Sequence, residues 1–271
     1  MPSVQFTLLA RALLLISCII TQFIPQAFAA STFLNSKLFI TSSDGLYPIK
    51  AIAGNPRITV NDANVKYVGE LTTEGFSQLR ALTSDKQLQS LTIASGGGEV
   101  SISIDFGVWV FVNKLDVIVE KACLSSCANY VFPAGRKKII LPGAVVAWHG
   151  SILQRNFQTE SQLREQIKNS YKRMKKRVSE AEIERDVKQM MSDMAVIKEK
   201  QKAFYQKIGV NEYVTRIGNE EYGARGFYFL SVEDMEKFGI MNVTAPQNYP
   251  KTDLSELNSL IPVPIVYIKL R

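Results

Sequence analysis

One histidine and three cysteines are all that this 271-residue chain offers a soft metal ion. If the first 29 residues are removed, one His and two Cys remain, one short of the four ligands of a structural zinc site, so zinc is not expected. No Gly-Lys-Ser/Thr follows the glycine cluster at Gly96-Gly97-Gly98, which removes the phosphate loop of nucleotide hydrolases. Beyond residue 29 no apolar run is long enough to cross a bilayer. What is present is 46% hydrophobic and 21% charged, the balance of a packed globular chain and not of a disordered one.

The first 29 residues carry a single charge, Arg11, followed by an apolar stretch from Ala12 that persists to Ile24. Pro25 breaks it, and Ala27-Phe28-Ala29 has the small-x-small form of a signal-peptidase site. Residues 1–29 therefore read as a secretory signal peptide, with a periplasmic or secreted mature chain. Leu15-Ile16-Ser17-Cys18 offers the rival pattern of a lipoprotein box with Cys18 acylated. Cleavage at Ala29 leaves Cys123 and Cys127, and an even cysteine count in an exported protein points to a disulfide. Two buried thiols are the alternative.

Along the mature chain, apolar runs alternate with helical periodicity. Residues 30–64 read as a short β-rich addition, with strands at Lys37–Ile40 and Arg57–Val60. Strands follow at Val65–Val68, Leu88–Ile93, Leu115–Glu120, Ile139–Leu141 and Ala144–Trp148, with helices predicted over Thr73–Thr83, Val100–Asn113 and Ala128–Ala134. This alternation predicts an α/β fold with a mainly parallel sheet and flanking helices. Residues 65–154 form the first part of that core, and 209–271 supply its remainder, with Ile265–Leu270 as a last strand.

Between them lies a charged insertion, 155–208, free of glycine and proline. Residues 155–207 hold 14 Lys/Arg and 8 Asp/Glu, so their net of +6 nearly equals the +7 of the whole chain. Ser179–Glu182 has the form of a capping box, which divides the segment into helices near 160–178 and 180–207. Val187, Met190, Met191, Met194 and Ile197 fall on one face. That face serves either the domain's own packing or contact with a second subunit. Interspersed acids and the export pattern argue against nucleic acid.

Three chemical groups sit where predicted strands end, the place where α/β sheets carry their sites. Gly96-Gly97-Gly98 can turn sharply and expose backbone N–H groups to an anion. Ser125-Ser126-Cys127 stands between a strand and a helix start, where a serine is either a helix cap or an exposed nucleophile. His149 follows the third strand. A nucleophile, a base and free N–H groups are the minimum parts of a serine hydrolase.

From Leu91 to Gly150 these residues resemble the proteolytic subunit of Clp proteases, within the Clp/crotonase fold group. That family has Ser-Pro-Gly-Gly at a strand end, where Ser95-Gly96-Gly97-Gly98 stands here. Its catalytic serine precedes an Ala-Gly pair; Ser126 precedes Ala134-Gly135 at the matching offset, which favours Ser126 over Ser125. Leu141-Pro142 leads to His149 as in the family. Phe229-Leu230-Ser231 through Phe238-Gly239-Ile240 is similar to the family's closing helix and turn. The resemblance implies a Clp/crotonase-like fold and a serine peptidase. Ser126 would be the nucleophile and His149 the base, with Gly98 and Cys127 supplying oxyanion N–H groups. Paired Cys123 and Cys127 suit an exported member.

No metal or other cofactor is implied. The implied partners are a peptide or unfolded protein substrate and a second copy of the chain bound through 155–208. One departure stands out: Phe227 occupies the place of the family's third triad residue, an aspartate. Glu220, Glu221, Glu233 and Asp234 are the nearest acids in sequence. A weak or inactive binding and assembly module is therefore the alternative reading. An acyl-CoA-handling crotonase relative is a third, which leaves Ser126 and His149 without roles.

Overall fold

The computed structural model describes residues 52, 54–155, 157–261 and 264–271. The expected signal peptide, Cys18 and the strand at Lys37–Ile40 lie outside them. Strands β1 (Arg57–Asn61), β2 (Asn64–Val68), β3 (Ser90–Ser95), β4 (Asp116–Leu124), β5 (Lys138–Ile140) and β8 (Val243–Thr244) form one sheet in the order β1-β2-β3-β4-β5-β8. Strand β6 (Val145–Ala147) pairs with the far half of β4. All pairings are parallel except β1 with β2. The chain is thus α/β with a mostly parallel central sheet flanked by helices.

Buried strands and apolar helices explain this layering. Every second residue of β2 is buried, whereas β3 is buried almost throughout, as a strand covered on both faces must be. Helix α1 (Thr73–Leu82) starts at Thr72, whose hydroxyl accepts from the Gly75 N–H. Helix α2 (Val100–Val112) is apolar around most of its circumference because it lies between other elements. Tyr67, Phe76, Phe106 and Trp109 interlock between the sheet and these helices, with ring centroids 5.1–6.3 Å apart. Aromatic contacts of this kind contribute about 0.5–1.5 kcal/mol each beyond their buried area.

The insertion is a helical hairpin, α3 (Glu160–Arg173) and α4 (Glu180–Ile208). Both helices open with capping boxes, at Thr159/Gln162 and at Ser179/Glu182. Leu163, Ile167, Ile183, Val187 and Met194 form a small core between them with Ile152. Ion pairs from Arg164 to Glu184 and from Lys168 to Glu180 join the two helices. Met191, expected on the apolar face, is exposed instead. The lower half of α4 is not a solvated arm. Phe204 and Tyr205 enter the main core, and Lys200 binds Asp105 and Ser101 of α2.

Beyond α4 come the short helices α5 (Ile217–Glu220), α6 (Val232–Glu236) and α7 (Ser255–Ser259). The expected last strand is shorter than its apolar run: β9 is only Val266–Tyr267, paired with β7 (Tyr228–Phe229) in a separate two-stranded sheet. Both residues of β9 are exposed. No helix of the described residues is long and apolar enough to cross a membrane.

Candidate active site

Strands β3, β4 and β6 are neighbours and parallel, so their C-terminal ends lie at one edge of the sheet. Gly96–Gly98 leaves β3, Ser125 leaves β4, and His149 lies just beyond β6. Topology therefore assembles the three groups that the sequence spaced over more than fifty residues.

The histidine Nε2 lies 2.7 Å from the Ser125 Oγ. The hydrogen bond falls one residue earlier than the sequence spacing placed it. Ser126, which that spacing favoured, is 3% exposed, and its hydroxyl donates to the Gly98 carbonyl at 2.9 Å. The reason for the offset is local. Ser125 adopts φ +54°, a left-handed conformation, as the chain turns from β4 into a π-helical turn at Cys127–Val131. The turn presents the Ser125 side chain to His149 and swings that of Ser126 towards the glycines. Left-handed backbone costs a non-glycine residue on the order of 1–3 kcal/mol, and such strain concentrates at functional sites. A strained serine between a strand and a helical turn is the geometry of a nucleophile elbow.

Several contacts hold the turn in this state. The Ser125 N–H donates to Ala147 O at 3.1 Å, and its carbonyl accepts from the Asn129 N–H at 2.8 Å. Cys123 and Cys127 stand at disulfide distance across it, Cα atoms 5.1 Å apart. Gly97, at φ +100°, packs against it so closely that a Cβ would lie 2.7 Å from the Ser125 Cβ and 2.9 Å from the Ser126 nitrogen. Only glycine allows both the conformation and the approach.

The expected oxyanion donors can be placed in the same frame. Leu71 bridges to Gly98 through the Gly97 carbonyl and the Glu99 N–H, so the Gly98 amide takes no part in that pairing. Among the described residues neither the Gly98 nor the Ser126 N–H has a hydrogen-bond partner. With Ser125 facing the histidine, the amide of the following residue is that of Ser126, while Cys127 opens the π-helical turn.

His149 is half-buried and lies against the Phe227 ring, centroids 4.6 Å apart. Burial pushes its pKa down to about 4, so the ring is neutral at pH 7. Among the described residues no carboxylate is bonded to it. Glu220 accepts from the Arg155 N–H and from Arg216, Glu221 from the Tyr213 hydroxyl, and Asp234 from the Leu270 N–H while pairing with Lys237. Glu233 is exposed on α6.

Sequence reasoning missed the support behind the site. Gln201 of α4 is fully buried; it accepts from the Tyr130 hydroxyl and donates to Ser151, two residues past the histidine. The Tyr205 hydroxyl donates to the Asn129 carbonyl at 2.5 Å. The insertion thus braces both the serine turn and the histidine loop. The only signal was the aromatic pair Phe204-Tyr205 at the end of a charged helix. No group of side chains among the described residues could hold a metal ion. No protein-family model matches the sequence, and no curated protein matches it.

Proposed function

We propose that this chain is an exported serine peptidase of the Clp/crotonase type, with Ser125 as nucleophile and His149 as general base. The observation that carries the reading is the 2.7 Å contact between His149 and a serine held in left-handed backbone at a strand end. In the first step the Ser125 Oγ attacks the scissile carbonyl carbon while His149 Nε2 takes its proton. The carbonyl oxygen becomes an oxyanion, for which the Gly98 and Ser126 amides are the proposed donors. The imidazolium then protonates the leaving amine as the C–N bond breaks, and a water repeats the sequence on the acyl-enzyme.

Supporting export are the pattern of residues 1–29 and the cysteine pair, which suits an oxidising compartment. Short or unfolded peptides are the proposed substrates, and the 155–208 hairpin, with exposed Met174, Met191 and Val196, the proposed self-contact surface. One observation favours a second reading, a weak or inactive binding module: Phe227 packs where an orienting acid would stand.

A fluorophosphonate probe with peptide mapping tests the proposal. Expected is a single adduct on Ser125, lost in Ser125→Ala and retained in Ser126→Ala. No adduct on a folded wild-type chain would return the protein to the binding-module reading, and an adduct on Ser126 would move the nucleophile.

A further inference from the structure

His149 Nε2 can accept the Ser125 proton only if the ring carries its own proton on Nδ1. An Nδ1–H in a half-buried ring needs an acceptor to fix that tautomer, and no carboxylate among the described residues is bonded to the ring. We propose that Asn219 is the positioning residue that holds His149 in the Nδ1–H tautomer, in the place of the missing acid. The inference rests on the serine-peptidase reading above.

The Asn219 amide is held by one end. It lies in α5, and its Nδ2 donates to Ala224 O at 2.8 Å and to Gly226 O at 3.2 Å. Two carbonyl acceptors on one end decide which end is nitrogen, so Oδ1 points the other way. That oxygen is buried and has no hydrogen-bond partner among the described residues. It lies 4.0 Å from the position a Cβ would take on Gly150, the residue after His149. The bond to Gly226 also places the amide beside Phe227, whose ring covers the imidazole. Asn219 is therefore bonded to the backbone next to the histidine's stacking partner, and its Oδ1 lies on the side of Gly150 where a side chain would project.

A buried acceptor with no donor costs on the order of 1–3 kcal/mol, so a fixed one calls for an explanation. A ring N–H reaching it through one bridging water satisfies it. A neutral amide orients the ring without stabilising the imidazolium as a carboxylate does. That agrees with a histidine whose proton affinity is lowered by burial and not restored by a charge. Asn129 also has an unpartnered Oδ1, but its Nδ2 is tied to Gly150 O at 3.0 Å and it belongs to the serine turn. It is the rival acceptor, which Asn129→Ala tests.

The sequence makes the test direct, because His149 is the only histidine. In untagged, 15N-histidine-labelled protein, long-range 1H–15N correlation at pH 7 reads the tautomer of this one ring. The wild type is expected in the Nδ1–H form with a protected ring proton. Asn219→Ala should lose that protection and slow fluorophosphonate labelling of Ser125 at least about tenfold. Asn219→Asp keeps an oxygen at the Oδ1 position but gives up both N–H donors. It should retain the Nδ1–H tautomer and label at least severalfold faster than Asn219→Ala, whereas a purely structural role predicts equal losses in both. Asn129→Ala should leave the tautomer unchanged.

A wild-type ring in the Nε2–H form, or an Asn219→Ala ring unchanged in tautomer and labelling, would overturn the inference. So would loss of the tautomer in Asn129→Ala alone. If Asn219→Ala fails to fold, the wild-type tautomer and the Asn219→Asp variant decide. A wild type that shows the protected Nδ1–H but never labels would sink the peptidase reading and leave the positioning role standing.

Discussion

The imidazole of His149 has a serine hydroxyl on one side and an aromatic ring on the other: Ser125 Oγ lies 2.7 Å from Nε2, and the Phe227 centroid 4.6 Å from the ring centre. Phe227 therefore presents an apolar ring to the imidazole, whereas a carboxylate at the same place would favour its charged form. Phe227→Asp should raise the histidine pKa from about 4 and speed labelling of Ser125. The single-histidine titration followed by NMR checks the first, and the probe rate the second. A raised pKa with no gain in rate would show that the acid is not what limits the site.

Acid sensitivity follows from the same burial. The folded pKa, about 4, lies below the ordinary value of 6.5, so the unfolded chain takes up the proton first as pH falls. This group's effect on stability is therefore absent above pH 6.5. It grows as a loss of stability between pH 6.5 and about 4. Denaturant unfolding of wild type against His149→Gln should show the wild type losing more stability across that window. Probe labelling should hold its rate down to about pH 5, where an unburied histidine would already be protonated. A labelling midpoint near 6.5 would contradict the buried, uncharged base.

Gly97→Ala tests the close approach of the β3 turn to the serine. Its Cβ would fall 2.7 Å from the Ser125 Cβ and 2.9 Å from Leu124 O, with φ fixed at +100°. The expected cost is about 1–3 kcal/mol of stability, with labelling of Ser125 reduced further than that loss accounts for. Thermal unfolding and the probe rate measure the two separately. Full labelling of a stable variant would mean that the turn can move aside.

The fold was legible because its signals are local. Strand positions, both hairpin helices and the Ser179 capping box follow from periodicity and caps that each need only a few residues. The His149 partner was not, because it turns on one backbone angle. A spacing argument separates Ser125 from Ser126 by a single offset, whereas φ +54° at Ser125 rotates the two hydroxyls to opposite neighbours. Gln201 was hidden for another reason: a glutamine in a charged helix carries no mark of the Tyr130 and Ser151 hydroxyls that meet it in space. Asn219 lies in a four-residue helix with no periodicity to place it.

The cysteine pair encloses Leu124, Ser125 and Ser126, so a bridge there acts on the strained turn more than on the whole chain. Closing so small a loop contributes about 2 kcal/mol by the chain-entropy estimate. Cys123→Ala with Cys127→Ala should lower stability by about that amount and cut Ser125 labelling more steeply. Non-reducing alkylation should find neither thiol of the wild type labelled. Two alkylated cysteines in native protein would remove the bridge from the account.

Self-association through the hairpin is the last expectation. Its inner face is already used: Leu163, Ile167, Ile183 and Val187 close the contact between α3 and α4. The lower half of α4 is also committed, since Gln201, Phe204 and Tyr205 are buried in the main body. What remains is the outward set of Met174, Met191 and Val196, which are 55%, 45% and 65% exposed. Met191→Glu combined with Val196→Glu alters this face without touching the buried residues of α4. Its unfolding midpoint should stay within a few degrees of the wild type. Sedimentation should show fewer protomers per particle, because a charge in an apolar contact loses its hydration without gaining a partner. An unchanged particle mass would place any subunit contact elsewhere and leave the hairpin as the brace of the site alone.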